Sequence, residues 1–425
     1  MMNPISLVRR KFENIPVNPD WSFANIKSTE QWTHGYHRYP AKFLPNLVKK
    51  LIEEYTSKND VVADLFAGCG TTMVESKIHG RKSVGVDVNP VAQLITNAKT
   101  RPINPKILKR RYNTLNRKIE NYRRKDHQSI SVHSRIDYWF TPANKYKIAF
   151  LYKCILSFRD ESVRSFFLVA LSNVLKNCSR WLQSSTKPQI DPNKNPADPF
   201  TAFSAQVKRM MTKNEEFYNE LKRLGYVNTL CEIKLEDARQ TSIRKNSVSA
   251  IITSPPYATS YEYADIHQLT GFWFEYIADL TKFRKKFIGT FYSNSQEVHT
   301  SSFIGQEIAN KLIKKDARTA KEVTNYFNDM QDVAKEMHRI LKPKGHVCLV
   351  IGNTTLLDVK IKSAEVFAEI LMTLGFEIME VIKRSIPYKL IPAIRDKETG
   401  KFTKLSNSNG KLCYPEEYII IAKKK

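Results

Sequence analysis

The sequence lacks any apolar run long enough to cross a membrane, and residues 1–11 contain no signal-peptide core. Its six cysteines lie far apart, with no CxxC pair and no spacing typical of a zinc site. Repeats and low-complexity tracts are absent as well. These absences predict a soluble, cytoplasmic protein with reduced thiols, no bound metal ion and no membrane association.

Acidic residues are scarce relative to basic ones. The 425-residue chain contains 68 Lys and Arg against 42 Asp and Glu, a formal net charge of +26. Such an excess concerns partners rather than fold, and it favours a polyanion, with a membrane surface as the competing partner. A hydrophobic content of 42% is enough for a proper core. The length suits one large domain with insertions, or two to three domains.

The most informative stretch lies between residues 248 and 257. Residues 248–252 are apolar and rich in β-branched side chains, which predicts a buried strand. The strand must end at Pro255 and Pro256, because proline cannot donate to a sheet ladder. Ser254 and Tyr257 therefore lie at the carboxyl edge of a sheet, where open α/β sheets bind ligands. A plain strand-to-turn exit is the alternative interpretation.

A second informative stretch, residues 61–72, reads as a strand, a Gly-rich turn and the start of a helix. Gly68 and Gly70 would let a cofactor approach the backbone, and the helix start offers free N–H groups. The stretch is neither a dinucleotide fingerprint nor a phosphate-binding P-loop. Asp87 ends the next predicted strand, where a carboxylate can accept hydrogen bonds from a ribose diol. The Gly-rich turn and Asp87 together suggest a nucleoside cofactor.

Basic residues concentrate after this region. Residues 106–125 contain nine basic residues and one acid, and Arg110, Arg117 and Arg124 recur every seven residues, so they would form one stripe on a helix. A solvated helix face is the usual meaning of such a run, but its density also favours contacts with phosphates. A second basic region begins at residues 282–286.

The order of predicted elements indicates the fold. Strands alternate with helices and end in a strand pair, which predicts an α/β, Rossmann-like, doubly wound sheet of about seven strands. Helical patterns interrupt this order and predict a mostly helical insertion, with a mobile Pro-rich loop at residues 184–199. We expect residues 1–104 to form the N-terminal segment and the cofactor-binding half, 105–229 the insertion, and 230–425 the catalytic half.

Four stretches in this order resemble the amino-group DNA methyltransferases. Residues 64–72 and 253–257 are the main ones, and the Ser-Pro-Pro-Tyr at 254–257 is similar to the N4-cytosine type, whereas adenine-N6 enzymes more often have Asp-Pro-Pro-Tyr. Residues 39–43 resemble the family's cofactor-side segment, and residues 341–345 resemble the turn before its fifth strand. The resemblance spans roughly residues 35–100 and 230–425, and the long insertion departs from it.

The resemblance implies an S-adenosylmethionine-dependent Rossmann-like sheet, with S-adenosylmethionine as cofactor and double-stranded DNA as substrate. Asp87 would bind the ribose hydroxyls and Asp237 the adenine amino group, although isolated acids at these places are commonly helix caps or turn formers. The expected cofactor-binding residues are Lys42, Phe43, Asp64, Phe66, Gly68, Gly70, Thr71, Asp87, Asn89 and Asp237. The expected catalytic residues are Ser254, Pro255, Pro256 and Tyr257, and the expected DNA-binding residues are Arg110, Arg117, Arg124, Lys285 and Lys286.

The chemistry of the Ser-Pro-Pro-Tyr stretch follows from the target. An exocyclic amine is a poor nucleophile, because its lone pair is delocalised into the ring. Ser254 Oγ and the Pro255 carbonyl would bind its hydrogens and free that lone pair, with the prolines providing preorganisation. Tyr257 would stack on the base, which must leave the duplex. The methyl would transfer directly, without a general base or a covalent intermediate.

The sequence thus predicts a site-specific DNA methyltransferase acting on the N4 of cytosine in a flipped-out base, within a restriction-modification system that could include a companion restriction endonuclease. Carbon-5 methylation is excluded, because its Pro-Cys pair is absent. Adenine-N6 methylation is the first alternative, and a non-catalytic DNA-binding subunit is the second.

Overall fold

The computed structural model describes residues 4–26, 28–123, 133–185, 187–258, 263–288, 298–386, 394–396, 402–403, 408–412 and 416–425. Arg124, one of the expected DNA-binding residues, lies outside the described residues.

A seven-stranded sheet forms the centre of the molecule. All strands of the described residues, of which seven form this sheet, are β1 Val61–Asp64, β2 Lys82–Asp87, β3 Cys231–Leu235, β4 Val248–Thr253, β5 Leu341–Ile351, β6 Thr354–Leu356, β7 Val359–Ile361, β8 Phe376–Ser385, β9 Ile394–Asp396, β10 Phe402–Thr403, β11 Gly410–Leu412 and β12 Glu416–Lys424. The central order is β3-β2-β1-β4-β5-β12-β8, with β6–β7 and β9–β11 in two small sheets. Strands β1 to β5 pair in parallel, and β12 is antiparallel to both β5 and β8. The predicted doubly wound sheet with a terminal strand pair is confirmed.

The strand order reverses between β1 and β4. From β1 the chain first builds outward through β2 and β3, and it then continues on the other side of β1 with β4 and β5. Ligands of open α/β sheets bind in the crevice that such a reversal opens at the carboxyl ends of the strands. Asp64 ends β1 and Thr253 ends β4, so the two predicted motifs meet at this crevice.

Helices cover both faces of the sheet. The helices are α1 Pro4–Phe12, α2 Pro19–Ser22, α3 Pro45–Tyr55, α4 Thr71–Ile78, α5 Pro90–Thr100, α6 Pro105–Glu120, α7 Arg135–Trp139, α8 Pro142–Leu156, α9 Glu161–Leu175, α10 Pro199–Leu224, α11 Tyr263–Ile266, α12 Gln268–Trp273, α13 Leu280–Arg284, α14 Phe303–Ile313, α15 Ala317–Ile340 and α16 Ser363–Thr373. Proline begins α3, α5, α6, α8 and α10, where its missing N–H costs no hydrogen bond. Among the described helices, none combines the length and apolar composition that a membrane span requires.

Successive side chains of the central strands pack into two hydrophobic cores, one on each face of the sheet. Val62 and Ile252 point to the face covered by α3, whereas their neighbours Ala63 and Ile251 point to the face covered by α14, α15 and α16. Because successive side chains of a strand point to opposite faces, both faces of these short apolar strands are buried. The sheet is therefore rigid where the two motifs end.

The insertion has a core of its own. In the described part of residues 105–229 the chain forms α6 to α10, which pack with α5 and α12 around buried aromatic side chains. Trp139 and Trp181 stack there with ring centroids 5.0 Å apart. The predicted helical insertion is confirmed, while the division of the chain into three domains stays a prediction.

Two clusters of hydrogen bonds hold the Pro-rich loop, for which the sequence predicts mobility. Lys176 Nζ donates to the carbonyls of Gln183 at 3.0 Å and Ser185 at 2.7 Å. Lys194 Nζ donates to the carbonyls of Lys176 at 2.8 Å and Trp181 at 2.7 Å. The described part of the loop is tied to the end of α9, because each ammonium bridges several carbonyls.

Candidate active site

One cavity occupies the crevice at the carboxyl ends of β1, β2 and β4. Its wall brings together segments that are far apart in sequence: the turn after β1, the tip of β2, the segment after β3 and the segment after β4. The expected site residues on this wall are Lys42, Phe43, Asp64, Phe66, Gly68, Thr71, Asp87, Asp237, Ser254, Pro256 and Lys286. The other expected residues in the described part of the chain lie off the wall, and they are Gly70, Asn89, Arg110, Arg117, Pro255, Tyr257 and Lys285.

The Gly-rich turn after β1 has left-handed backbone at both glycines. Gly68 has φ of 48° and Gly70 has φ of 77°, a region that favours glycine because side chains strain it. A Cβ on Gly70 would lie 2.7 Å from the side chain of Thr96, which itself donates to the Gly68 carbonyl at 3.1 Å. Gly70 therefore packs closely against Thr96 off the cavity wall, whereas Gly68 forms part of that wall. Helix α4 begins directly afterwards at Thr71.

Asp87 connects the tip of β2 with this turn. Its Oδ2 accepts a hydrogen bond from the Gly68 backbone N–H at 2.9 Å, and its Oδ1 accepts one from the Asn89 N–H at 2.9 Å. Burial raises the pKa of Asp87 to about 6, against the lowering effect of these hydrogen bonds. An ionised carboxyl has about four acceptor positions, so Asp87 keeps acceptor capacity on the cavity wall beyond these two hydrogen bonds.

Asp64 joins the two strands at the strand-order reversal. Its Oδ1 accepts from Thr253 Oγ1 at 2.6 Å and from the Phe66 backbone N–H at 3.0 Å. Burial raises the pKa of Asp64, and the hydrogen bond from Thr253 opposes that rise. The residue before Ser254 is thus fixed relative to the Gly-rich turn.

Two expected cofactor-binding residues have structural partners. Asn89 is buried, caps α5 by accepting from the Val91 N–H at 3.0 Å, and donates through Nδ2 to His267 Nδ1 at 2.8 Å. Its side chain is a helix cap and does not line the cavity wall. Asp237 lies on the wall, but its carboxylate pairs with Arg239 at 2.6 Å and accepts from the Arg239 backbone N–H at 2.9 Å.

The Ser254–Tyr257 segment is held from two sides. The Pro256 carbonyl accepts a hydrogen bond from Tyr326 Oη on α15 at 2.8 Å. Tyr257 Oη donates to Glu417 Oε2 on β12 at 2.6 Å. Burial and the charge of Glu417 raise the pKa of Tyr257 well above its usual range, so this hydroxyl keeps its proton. The Tyr257 ring is half-buried against the core that α14 to α16 cover, rather than on the cavity wall.

Aromatic side chains that sequence reasoning missed complete the wall. Tyr39 and Tyr263 lie there as a stacked pair with centroids 6.4 Å apart, and the Tyr39 ring also lies 4.9 Å from that of His267. Phe287 and Ile288 extend the wall after α13. Tyr39 belongs to the stretch that resembles a cofactor-side segment, so its aromatic ring there was the available signal. No comparable signal pointed to Phe287.

The two expected DNA-binding regions differ in placement. Arg110 and Arg117 are exposed on α6, whose opposite face buries Leu108 and Leu115. Around α13, Lys285 is exposed off the cavity wall, whereas Lys286 lies on that wall. The segment is fixed by the Arg284–Asp265 ion pair at 2.6 Å. The described residues contain no group of three His, Cys, Asp or Glu side chains arranged to hold a metal ion.

Comparisons with known proteins agree with this geometry. A family model described as DNA methylase, of the N6 and N4 methyltransferases, matches residues 7–98 and 248–425, which is more than half of the chain. The chain is 27% identical to the Type II methyltransferase M.MvaI of Kocuria varians over 86% of this chain and 87% of that protein. It is 23% identical to the Type II methyltransferase M.AvaI of Nostoc sp. over 85% of this chain and 82% of that protein.

The residues matched by the family model include most of the segments that line the cavity. They contain the Gly-rich turn, Asp87 and the Ser254–Tyr257 segment, and they leave out residues 99–247, which include the helical insertion. S-adenosylmethionine is the cofactor, and the wall offers it the start of α4, whose N-cap makes no side-chain hydrogen bond, and the carboxylate of Asp87. The chain belongs to the DNA methylase family of N6 and N4 amino-group methyltransferases.

Proposed function

We propose that this protein methylates the exocyclic N4 of cytosine in duplex DNA at a specific site, with the target base flipped out of the helix. The observation that carries the proposal is the placement of Ser254 and Asp87 on one cavity wall. Asp87 offers a nucleoside subsite, and Ser254 offers a hydroxyl where a base amine would lie. Serine before Pro-Pro-Tyr favours cytosine over adenine as the target.

At the cofactor end, the chain supplies hydrogen bonds and shape. The Asp87 carboxylate accepts from the ribose hydroxyls, while the Gly68 backbone lets the methionine part approach closely. When bound, S-adenosylmethionine supplies an electrophilic methyl group on its sulfonium. Asp237 remains the acceptor proposed for the adenine amino group, and this contact shares the carboxylate with Arg239.

At the base end, the chain supplies acceptors for the amine hydrogens. The Ser254 hydroxyl and the Pro255 carbonyl are the proposed acceptors, while the Pro256 carbonyl already accepts a hydrogen bond from Tyr326. By accepting the amine hydrogens they would draw the nitrogen towards tetrahedral geometry and free its lone pair. Tyr39 and Tyr263 present aromatic faces on which a planar base can stack, worth about 1–3 kcal/mol per base.

The substrate and biological context belong to the same proposal. The exposed basic face of α6 would contact DNA phosphates, since the chain has a net charge of +26. The relatives reported above are named Type II methyltransferases, which supports a role in a restriction-modification system with a companion endonuclease.

One experiment tests the reaction and the target atom together. Unmethylated, PCR-amplified genomic DNA is incubated with the protein and S-adenosylmethionine labelled in the methyl group, and the digested nucleosides are separated. We expect label in N4-methylcytosine. Label in N6-methyladenine would assign the alternative target, and binding of cofactor and DNA without label in any nucleoside would make the protein a non-catalytic DNA-binding subunit.

A further inference from the structure

We propose that Tyr326 and Asp329, one turn apart on α15, are positioning residues that fix the base end of the cavity relative to its cofactor end. This inference rests on the proposed function and extends it to α15, whose residues lie off the cavity wall. Direct methyl transfer requires the donor carbon and the acceptor nitrogen to be aligned at short distance. The relative position of the two ends therefore matters for the rate.

At the base end, α15 holds the carbonyl of Pro256. The Tyr326 hydroxyl donates its proton to this carbonyl at 2.8 Å, because a carbonyl can only accept. The Tyr326 ring is buried beside Phe327 and Phe367, with ring centroids 5.8 and 5.7 Å away, so its hydroxyl has a fixed position. Proline restricts φ but not ψ, and the hydrogen bond restrains the torsion that the ring leaves free.

The two proposed acceptors of the amine hydrogens lie between two anchored residues. Before them, Thr253 Oγ1 donates to Asp64 at 2.6 Å, and after them the Pro256 carbonyl accepts the hydrogen bond from α15. The backbone of Ser254 and Pro255 is therefore restrained at both ends. Such restraint is the preorganisation that acceptors need if they are to favour the transition state.

At the cofactor end, α15 holds the carboxylate of Asp237 through Arg239. The Arg239 guanidinium bridges two acids, since it lies 2.6 Å from Asp237 and 2.6 Å from Asp329. Asp237 lies on the cavity wall and is the acceptor proposed for the adenine amino group. Because Asp329 belongs to the helix that also contacts Pro256, the two ends of the cavity share one support.

Further contacts attach the segment after Asp237 to the same helix. Glu336 Oε1 accepts a hydrogen bond from the Thr241 backbone N–H at 2.9 Å. Arg339 donates to the carbonyls of Thr241 at 3.1 Å and Ile243 at 2.7 Å. Helix α15 then leads directly into β5, which pairs with β4 in the central sheet. The helix is therefore fixed relative to the strand that precedes the proposed amine acceptors.

A matched control for Tyr326→Phe lies on the same helix. Thr324 is buried and donates within α15 to the Ala320 carbonyl at 2.8 Å. Thr324→Val therefore removes one buried hydroxyl and its hydrogen bond, as Tyr326→Phe does, but it leaves the Pro256 carbonyl bound. A loss that arises from weakening α15 alone should appear in both variants.

A matched control for Asp329→Asn lies one turn further along the helix. Asp332 is exposed and pairs with Lys335 of the same helix at 2.8 Å. Asp332→Asn neutralises one acid of α15, as Asp329→Asn does, without altering the contact to Arg239.

The test measures two quantities for each variant. One is the single-turnover rate of methyl transfer to unmethylated, PCR-amplified genomic DNA at saturating S-adenosylmethionine, and the other is the dissociation constant for S-adenosylmethionine by calorimetry. We expect Tyr326→Phe to slow transfer about three- to tenfold, with the dissociation constant within about twofold. We expect Asp329→Asn to raise the dissociation constant about threefold, with transfer at saturation within about twofold. Thr324→Val and Asp332→Asn should match the unmodified protein in both quantities.

This crossed pattern separates positioning from a general weakening of α15. An unchanged rate for Tyr326→Phe, an unchanged dissociation constant for Asp329→Asn, a variant that worsens both quantities, or a control that shows the same loss as its partner variant overturns the inference. The rates are compared in the same way whichever base receives the methyl group. Absence of transfer by the unmodified protein would contradict the proposed function together with the base end of this inference, and the dissociation constants would still decide the cofactor end.

Discussion

The Gly68 backbone N–H donates to the carboxylate of Asp87 across 2.9 Å. This bond ties the turn after β1 to the tip of the adjacent strand β2, and both residues line the cavity at the carboxyl ends of the strands. The same carboxylate therefore shapes the protein and faces the cavity, so changes to it should affect cofactor binding in ways that a general loss of stability would not.

Substituting Asp87 with alanine should weaken S-adenosylmethionine binding by about 2–4 kcal/mol, through the loss of two charge-assisted hydrogen bonds to the ribose. Calorimetry on the folded variant measures the cofactor affinity, and DNA affinity measured in parallel is the control that should change little. An unchanged cofactor dissociation constant would remove Asp87 from the cofactor site.

Cofactor affinity should also depend on pH. Burial raises the pKa of Asp87 to about 6, above its usual value of 3.8, so the ionised acceptor is lost as pH falls through about 6. We expect the dissociation constant for S-adenosylmethionine to rise below this pH, and Asp87→Asn to remove that dependence.

The contribution of Asp87 to the free energy of unfolding changes with pH in the opposite direction to cofactor affinity. A carboxyl whose pKa is higher in the folded than in the unfolded protein contributes most below its unfolded pKa, and it loses that contribution as pH rises from about 4 to about 6. Comparing thermal unfolding of the unmodified protein and Asp87→Asn across this range measures the effect. A flat difference between the two would contradict the assigned pKa.

Gly70→Ala should destabilise the Gly-rich turn more than Gly225→Ala destabilises the end of α10. Both glycines have φ of 77°, so each alanine pays a similar backbone strain of about 1–2 kcal/mol. A Cβ at position 225 meets nothing within 4 Å, whereas one at position 70 lies 2.7 Å from Thr96. Crowding should add about 1–3 kcal/mol at Gly70.

Chemical denaturation of the two glycine variants measures this difference in the free energy of unfolding. Cofactor affinity should fall for Gly70→Ala alone, because Gly70 shapes the turn that places Gly68 on the cavity wall, whereas Gly225 ends α10. Equal destabilisation would mean that Thr96 moves aside without cost.

Replacing both Arg110 and Arg117 with alanine should flatten the dependence of log DNA affinity on log salt concentration. Each lost phosphate contact lowers the slope by about 0.9, and S-adenosylmethionine binding should not change. Arg223→Ala is the matched control, because this exposed arginine of the same insertion already pairs with Glu220 at 2.5 Å. An unchanged slope in the double variant would make the insertion a stabilising cap and move DNA recognition to the basic region near Lys285.

Local sequence signals predicted the strands and the turn that line the cavity. A strand followed by a Gly-rich turn and a second strand ending in Asp87 were sufficient, because the chain between them builds one strand–helix–strand unit. The partners that hold the Ser254–Tyr257 segment were not predictable in this way. Tyr326 lies 70 positions from Pro256, and Glu417 lies 160 positions from Tyr257. Nothing in the spacing of such residues indicates contact, since only the strand order brings them together.

Other differences have a chemical cause. Asparagine after a strand is equally suited to a cofactor contact and to a helix cap, and only the neighbouring Val91 N–H shows that Asn89 is the cap. A lysine in a basic run gives no sign of whether it faces solvent or a cavity, and the fold around α13 places Lys286 on the cavity wall and Lys285 off it. Two adjacent lysines therefore lie in different surroundings, although the sequence does not distinguish them.

The position of β12 has a consequence for how the protein folds during synthesis. This strand lies between β5 and β8, although both precede it in the chain, so β8 can join the central sheet only after β12 has left the ribosome. Contacts of such high sequence separation form slowly, because the loop must close before the pairing stabilises it. A nascent chain would therefore contain the Gly-rich turn and the Ser254–Tyr257 segment before β12 supplies Glu417, the hydrogen-bond partner of Tyr257.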